Sequence, residues 1–149
     1  MKQIVETPPW PNYKQDEIDA VQRVLESGKG NYWAGEEGKL FEQEFAQWCG
    51  AKHGLCISNG TVALELALRA CGIGEGDEVI VTPRSFLASV AAVVAVGAVP
   101  VFADVELDSG NISAKTIEKV VTNKTTGIIP VHLGGWPADM PAIMELANK

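Results

Sequence analysis

Residues 54–68 read GLCISNGTVALELAL, a short apolar run followed by a glycine turn and a second apolar-rich segment. The run at 54–57 is typical of a buried strand. From Thr61 onward the spacing of the apolar residues predicts a helix that is buried on most sides. Asn59, Gly60 and Thr61 predict the tight turn between the two elements. The stretch therefore predicts one strand–turn–helix unit of an α/β protein.

The turn at Asn59, Gly60 and Thr61 is a candidate anion site. Backbone N–H groups at a helix start lack intrahelical partners, and together with the helix dipole and the Thr61 hydroxyl they suit an anion, most often phosphate. Gly60 lets a ligand approach the backbone because glycine has no side chain. The alternative is a plain N-cap by Asn59 or Thr61, which any helix needs. These residues alone favour the plain cap.

Composition narrows the class of protein. The chain has 149 residues, the size of one domain, and a net charge of −7, which argues against nucleic acid or an anionic membrane as a partner. Three cysteines without CxxC spacing predict neither a disulfide framework nor a zinc site, and they fit a reducing compartment. The first ten residues lack the apolar core of a secretory signal, and the apolar run at 86–99 is too short to span a bilayer. We therefore expect a soluble, cytoplasmic protein.

Strand and helix patterns alternate along the rest of the chain. Helices are predicted at 18–27, at 41–48 with Phe41, Phe45 and Trp48 on the buried face, from Phe86, from Ser113 to Val121 and from Asp139. Apolar strands are predicted at 78–81, 99–105 and 126–132. This alternation predicts a mostly parallel sheet flanked by helices on both faces. The sequence ends inside the last predicted helix without a C-cap, so we expect further sequence or another chain to complete the sheet.

Several segments together carry a family resemblance. In order along the chain these segments are GKLFEQEF at 38–45, SNGTVALELAL at 58–68, GIGEGDEVIV at 72–81, SF at 85–86, GAVPVFADV at 97–105, NI at 111–112, IIPVHL at 128–133 and ADM at 138–140. With them, the sequence from about residue 13 onward resembles the N-terminal part of pyridoxal-phosphate (PLP)-dependent nucleotide-sugar aminotransferases of the DegT/StrS type.

The resemblance implies a fold and a division of the chain. Residues 1–34 would form an N-terminal helix and a substrate-side loop. Residues 35–149 would form the N-terminal portion of the PLP-binding large domain of a fold-type I (aspartate aminotransferase-like) enzyme. The rest of that domain and a C-terminal small domain would lie outside this sequence.

The resemblance also assigns residues to the cofactor. Gly60 and Thr61 would hold the phosphate of PLP, which now favours the anion site over the plain cap, and Asn59 would shape the turn or donate a backbone N–H. Phe86 would stack on the pyridine ring. The alternative for Phe86 is a core residue at the start of a buried helix. Family members often have Pro-Ser-Phe-Thr before this aromatic, whereas this chain has Thr-Pro-Arg-Ser at 82–85, with the proline one position later.

Two adjacent aromatic residues, Tyr32 and Trp33, lie on a glycine-flanked loop at 31–35, where the family often has a segment near the substrate entrance. They are candidates for stacking on a sugar or base. The alternative is packing against a dimer partner or against the helix at 41–48.

Other polar residues are expected to have structural roles. His132 ends a strand, but only His53 accompanies it and no carboxylates cluster nearby, so we predict no metal site. Asp104 and Glu106 flank Val105 and therefore point to opposite faces of a strand, which favours turn or capping roles over an acid/base pair.

The resemblance implies transfer of an amino group, usually from glutamate, to a nucleotide-linked keto-sugar by a homodimer, in surface-polysaccharide or amino-sugar biosynthesis. The lysine that bonds to the cofactor and the acid that pairs with the pyridine nitrogen lie downstream in the family. No lysine here stands in the family's Ser-x-x-Lys setting, so no catalytic residue is assigned and the 149 residues alone should be inactive.

Two alternatives to this function stay open. One is a keto-sugar dehydratase of the same family, which uses the amine form of the cofactor (PMP) and has histidine in place of the lysine. The other is a non-catalytic remnant that acts as a regulatory or interaction module.

Overall fold

The computed structural model of the protein describes residues 9–149, in two compact units that meet in sequence between Cys56 and Ile57. Residues 1–8, which include most of the segment searched for a secretory signal and the start of the predicted 1–34 segment, lie outside the described residues. In residues 9–149 no helix combines the length and apolar character needed to cross a bilayer.

The first unit contains two helices, α1 (Gln15–Ser27) and α2 (Glu37–Cys49). Each ends at a glycine with a positive φ, Gly28 at 67° and Gly50 at 66°, the left-handed conformation that terminates many helices. At the start of α1 the Glu17 carboxylate accepts a hydrogen bond from the Lys14 backbone N–H at 2.8 Å. The loop between the helices carries Tyr32 and Trp33.

The second unit alternates helices and strands, as the sequence predicts. Its elements are α3 (Gly60–Ala70), β1 (Glu78–Val81), α4 (Ala88–Ala95), β2 (Val99–Phe102), α5 (Ala114–Glu118), β3 (Thr125–Ile129) and α6 (Met140–Ala147), with a short 3₁₀ turn at Leu133–Gly135. The three strands form a parallel sheet in the order β2-β1-β3, in which Ile80 pairs with Val101 on one side and with Ile128 on the other.

Alternate residues of the central strand β1 face two separate cores. Val79 and Val81 pack with Leu68 of α3 and with Ala92 and Val93 of α4. Ile80 packs on the opposite face, with Ile117 of α5 and Ile143 of α6. Val79, Ile80 and Val81 each have 0 % exposure. The predicted parallel sheet with helices on both faces is confirmed.

The predicted strand at 54–57 is wrong, because no described strand lies beside this segment. A strand requires backbone hydrogen bonds to a neighbouring strand. Here the Cys56 N–H donates instead to the Glu42 carboxylate at 2.8 Å, and Leu55 is 75 % exposed.

The predicted burial of one face of α2 is also wrong. Phe41, Phe45 and Trp48 are 56, 48 and 82 % exposed. Their rings pack on one another instead, with centroid separations of 5.5 Å for the two phenylalanines and 5.7 Å for Phe45 and Trp48. Their helical spacing identifies a common face but does not supply a partner that covers it.

Several predicted boundaries shift. The helix predicted from Phe86 begins at Ala88, and Phe86 and Leu87 stay exposed. Strand β3 ends before Pro130, which has no N–H for a sheet hydrogen bond. Helix α6 ends at Ala147, and the Asn148 N–H still makes the helical hydrogen bond to the Met144 carbonyl at 3.1 Å.

Candidate functional site

The turn before α3 is built on Asn59, which is the N-cap of the helix. Its side-chain oxygen accepts a hydrogen bond from the Val62 N–H at 3.1 Å, and its side-chain amide donates to the Ser58 hydroxyl at 3.2 Å. The capping interaction proposed from the sequence is therefore present. This cap provides a hydrogen-bond acceptor for the third N–H group of the helix but not for the first two.

Those first two N–H groups belong to Gly60 and Thr61. Neither group has a hydrogen-bond partner among residues 9–149, and the Thr61 hydroxyl has none there either. Two backbone donors and one hydroxyl thus lie together at the positive end of α3. This donor set suits an anion with several acceptor oxygens.

An open cavity of about 660 Å³ lies against this turn. Gly60 and Thr61 of α3 line one part of it, and Phe86, Ala88 and Ser89 at the start of α4 line another. The remaining lining residues are apolar residues of α3, namely Ala63, Leu64 and Ala67. The structure therefore brings Gly60, Thr61 and Phe86 to one cavity, although the two segments are separated in sequence by β1.

The cavity fits the phosphate and ring of PLP in two respects. A Cβ atom built on Gly60 would meet no atom within 4 Å, so the backbone there faces open space that an anion can enter. The lining residues include no carboxylate that would repel a phosphate, and most of them are apolar, as a pyridine ring requires.

Phe86 is 79 % exposed and lies just before α4. The alternative of a core residue is therefore wrong for Phe86. Its ring is available at the cavity for contact with a flat ligand. Binding of PLP by Phe86, Asn59, Gly60 and Thr61 stays a prediction.

Sequence analysis missed Ser89, a buried residue of α4 that lines the same cavity. Its hydroxyl lies 2.8 Å from the Ser85 hydroxyl, so one of the two donates to the other. The available signal was a serine three residues after Phe86, on the first turn of an otherwise apolar helix.

Tyr32 and Trp33 lie in the first unit, and their rings meet edge to face with centroids 6.1 Å apart. The Tyr32 hydroxyl donates to the Glu42 carboxylate of α2 at 3.1 Å. This bond, with the negative charge of Glu42, raises the pKa of Tyr32 above its ordinary value. The proposed packing against α2 is thus present for Tyr32, while Trp33 is 90 % exposed. Substrate binding by these two residues stays a prediction.

At the carboxyl ends of the strands, buried Asn111 ties two loops together. Its side-chain amide donates to the Trp136 carbonyl at 2.8 Å, and its side-chain oxygen accepts from the Leu133 N–H at 3.1 Å. His132 accepts a hydrogen bond from the Ala138 N–H through Nδ1 at 3.0 Å, which confirms a structural role.

The turn roles predicted for Asp104 and Glu106 are confirmed. Asp104 accepts a hydrogen bond from the Val105 N–H at 2.8 Å, and the Glu106 carboxylate accepts from the Ser113 hydroxyl at 2.7 Å. Across residues 9–149 no group of three or more His, Cys, Asp or Glu side chains is placed to hold a metal ion.

Comparison with known proteins bears directly on this site. The profile of the DegT/DnrJ/EryC1/StrS aminotransferase family matches residues 11–149. A curated relative, the dTDP-3-amino-3,4,6-trideoxy-alpha-D-glucose transaminase of Streptomyces venezuelae, is 45 % identical over 130 residues, which cover 87 % of this chain and 34 % of that protein.

Two solved structures show the same fold. An aminotransferase from Psychrobacter cryohalolentis superposes with a TM-score of 0.92 at 54 % identity, over 96 % of this chain and 36 % of that one. A Streptococcus pneumoniae protein described as a sugar aminotransferase, solved in its PLP form, superposes with a TM-score of 0.85 at 33 % identity, over 91 % and 34 % of the two chains.

The chain spans about a third of the length of the curated relatives it matches. Within that third, the match extends over nearly all of the residues described above, including the turn before α3 and the start of α4. The chain belongs to the DegT/DnrJ/EryC1/StrS family of PLP-dependent aminotransferases.

Proposed function

We propose that the full product of the gene encoding this chain, hereafter the gene product, transfers an amino group to a keto-sugar carried on a nucleotide diphosphate. The observation that carries this proposal is the meeting of Gly60, Thr61 and Phe86 at one cavity. Family membership and the similarity to a nucleotide-sugar transaminase support the class of substrate. Glutamate is the proposed amino donor, and surface-polysaccharide or amino-sugar biosynthesis is the proposed context.

In this proposal the chain binds and orients the cofactor. The N–H groups of Gly60 and Thr61 and the Thr61 hydroxyl hold the phosphate, and Asn59 fixes the turn through its cap to Val62. Phe86 lies against the pyridine ring and shields it from water. PLP, when bound, supplies the electron sink that makes amino transfer possible. Tyr32 and Trp33 contact the sugar or base of the substrate.

The chemistry also needs a lysine and an acidic partner for the pyridine nitrogen. None of the lysines in this chain stands in a Ser-x-x-Lys setting. We therefore propose that the 149 residues alone do not transaminate and that these two groups come from elsewhere in the gene product. A homodimeric assembly, a cytoplasmic location and a division of the chain after residue 34 are part of the same proposal.

An assay of the purified gene product tests the proposal. The protein is incubated with PLP, glutamate and a panel of nucleotide keto-sugars, and 2-oxoglutarate and the sugar product are identified by mass spectrometry. Formation of both an amino-sugar and 2-oxoglutarate supports the proposal. Loss of a sugar hydroxyl without amino transfer would instead identify a dehydratase. Failure to bind either PLP or PMP would exclude both enzymes and favour a non-catalytic module.

A further inference from the structure

One carboxylate, that of Glu42, binds two segments that flank α2 in sequence. Its Oε2 atom accepts a hydrogen bond from the Tyr32 hydroxyl at 3.1 Å, and its Oε1 atom accepts from the Cys56 backbone N–H at 2.8 Å. Tyr32 lies on the loop before the helix, and Cys56 lies three residues before Asn59. Glu42 thus connects the proposed substrate loop to the segment that leads into the phosphate turn.

The surrounding backbone is shaped for these two contacts. A Cβ atom on Gly38, one turn before Glu42 on the helix, would lie 2.8 Å from the Tyr32 ring. A Cβ atom on Gly54 would lie 2.6 Å from the Glu42 carbonyl oxygen. Both distances are shorter than real Cβ contacts. Glycine at position 38 therefore lets the Tyr32 ring lie close against α2, and glycine at position 54 lets the segment before Cys56 do the same.

The Glu42 charge has no other partner in the described part of the chain. The three ion pairs found there join Lys39 to Glu36, Arg69 to Glu65 and Lys149 to Glu145. Both partners of Glu42 are neutral donors, and hydrogen bonds to an ionised acceptor are stronger than those between neutral groups. Among residues 9–149, the Glu42 carboxylate therefore hydrogen-bonds to Tyr32 and Cys56 alone.

We propose that Glu42 is a positioning residue that fixes Tyr32 for the sugar substrate and Cys56 for entry of the chain into the phosphate turn. This inference rests on the proposed function of the gene product. It assigns no proton transfer to Glu42, since both of its contacts are structural hydrogen bonds. It predicts that the two contacts can be separated by substitution.

Two substitutions in the gene product separate the contacts. Glu42→Gln keeps an oxygen for the Cys56 N–H and replaces the charged acceptor of Tyr32 with a neutral amide. It should raise KM for the nucleotide sugar about 3-fold, with kcat and PLP affinity within about 2-fold of wild type. Glu42→Ala removes both contacts. It should raise KM and also weaken PLP binding, each about 5- to 10-fold.

Two further variants serve as controls. Glu44→Gln makes the same charge change on the same helix at an exposed residue with no side-chain partner among residues 9–149, and it should match wild type. Tyr32→Phe should raise KM as Glu42→Gln does, and the double variant should be no worse than either single variant. Additive effects of Tyr32→Phe and Glu42→Gln would overturn the proposal. So would a Glu42→Ala variant within 2-fold of wild type in both KM and PLP affinity.

Limited chymotrypsin digestion tests the contact without relying on activity. Tyr32 and Trp33 are cleavage sites, and Trp33 is 90 % exposed. Glu42→Ala should speed cleavage after these residues at least 3-fold, and Glu44→Gln should not change it. Equal cleavage rates in the Glu42→Ala variant and wild type would refute the positioning role even in an active enzyme. If the gene product has no aminotransferase activity but Glu42→Ala still speeds cleavage, the proposed function is refuted while the contact between Glu42 and Tyr32 is supported.

Discussion

Gly60 is an informative glycine because its backbone conformation does not require one. Eight glycines of residues 9–149 have a positive φ, and Gly60 is not among them. A Cβ there would meet no protein atom within 4 Å. Neither backbone conformation nor a contact with the described residues requires glycine here, and Gly60 lines the cavity proposed to hold PLP.

Replacing Gly60 with alanine separates ligand binding from folding. The Gly60→Ala variant of the gene product should keep its free energy of unfolding or gain up to about 1 kcal/mol, since alanine is the better helix former. Its PLP dissociation constant should rise about 10-fold or more, because the new methyl group holds the phosphate away from the backbone. Equilibrium dialysis with PLP and urea unfolding measure the two quantities.

Gly74→Ala is the matched control, because a Cβ there would meet only the Val96 carbonyl oxygen at an ordinary 3.7 Å and φ is not in the left-handed region. It should leave PLP affinity unchanged. Equal PLP affinities of Gly60→Ala and wild type would remove Gly60 from the cofactor site.

The Tyr32–Glu42 bond predicts a pH dependence of stability. The pKa of Tyr32 is raised in the folded protein, so its contribution to stability is fully present below the unfolded pKa of about 10 and is lost as pH rises through the folded pKa. Wild type should therefore be more stable than Tyr32→Phe at pH 8, and the difference should shrink above pH 10. Urea unfolding of both proteins at several pH values measures this difference. A difference that grows above pH 10 would contradict the assignment.

At the scale of elements, buried Asn111 is the side chain that joins the loop after β2 to the loop after β3. Asn111→Asp removes the donor to the Trp136 carbonyl and places a negative charge beside that oxygen. The variant should lose about 2–3 kcal/mol of unfolding free energy at neutral pH. The exposed Asn123→Asp should change it by less than about 0.5 kcal/mol. Similar effects of the two changes in urea unfolding would show that the Asn111 bonds contribute little.

The elements that sequence predicted best are those with local signals. The bounds of β1 follow from an apolar run after a turn, and Ser113 and Asp139 cap α5 and α6 as expected. Failures occurred where a partner decides the structure. Residues 54–57 have strand composition but no described neighbouring strand, and the aromatic face of α2 stays exposed among the described residues of its unit.

The candidate site was only partly predictable for the same reason. The turn at Asn59, Gly60 and Thr61 has a local signature, and its cap is visible in the sequence. Phe86 joins that turn only because α3 and α4 pack side by side on one face of the sheet. The role of Phe86 was inferred from the family resemblance. The resemblance assigned no role to Ser89, which was therefore missed. Glu42 lies within a segment that resembles the family, but its two partners are set by the fold.

For the molecule as a whole, the stability of the second unit depends on two cores separated by the sheet. Val93 of α4 is fully buried against β1, while its neighbour Val94 is 59 % exposed. Val93→Ala should cost about 2–3 kcal/mol of unfolding free energy, through lost burial and a cavity. Val94→Ala should cost less than about 0.5 kcal/mol. Urea unfolding compares the pair, and equal costs would contradict the assignment of Val93 to the core.

The packing of α3 beside α4 also places the cavity next to Phe86, on the loop that follows the carboxyl end of β1. Ligands of open α/β sheets usually bind at that end of the strands. The proposed function thus depends on this cavity holding PLP with its phosphate on the turn before α3.

A crystal structure of the gene product with PLP would show whether the cavity holds the cofactor in this way. We predict that phosphate oxygens lie within about 3.2 Å of the Gly60 and Thr61 backbone nitrogens, the limit for an N–H···O hydrogen bond. We also predict that the Phe86 ring lies against one face of the pyridine. A phosphate bound away from the turn, or a pyridine ring that does not contact Phe86, would contradict this prediction.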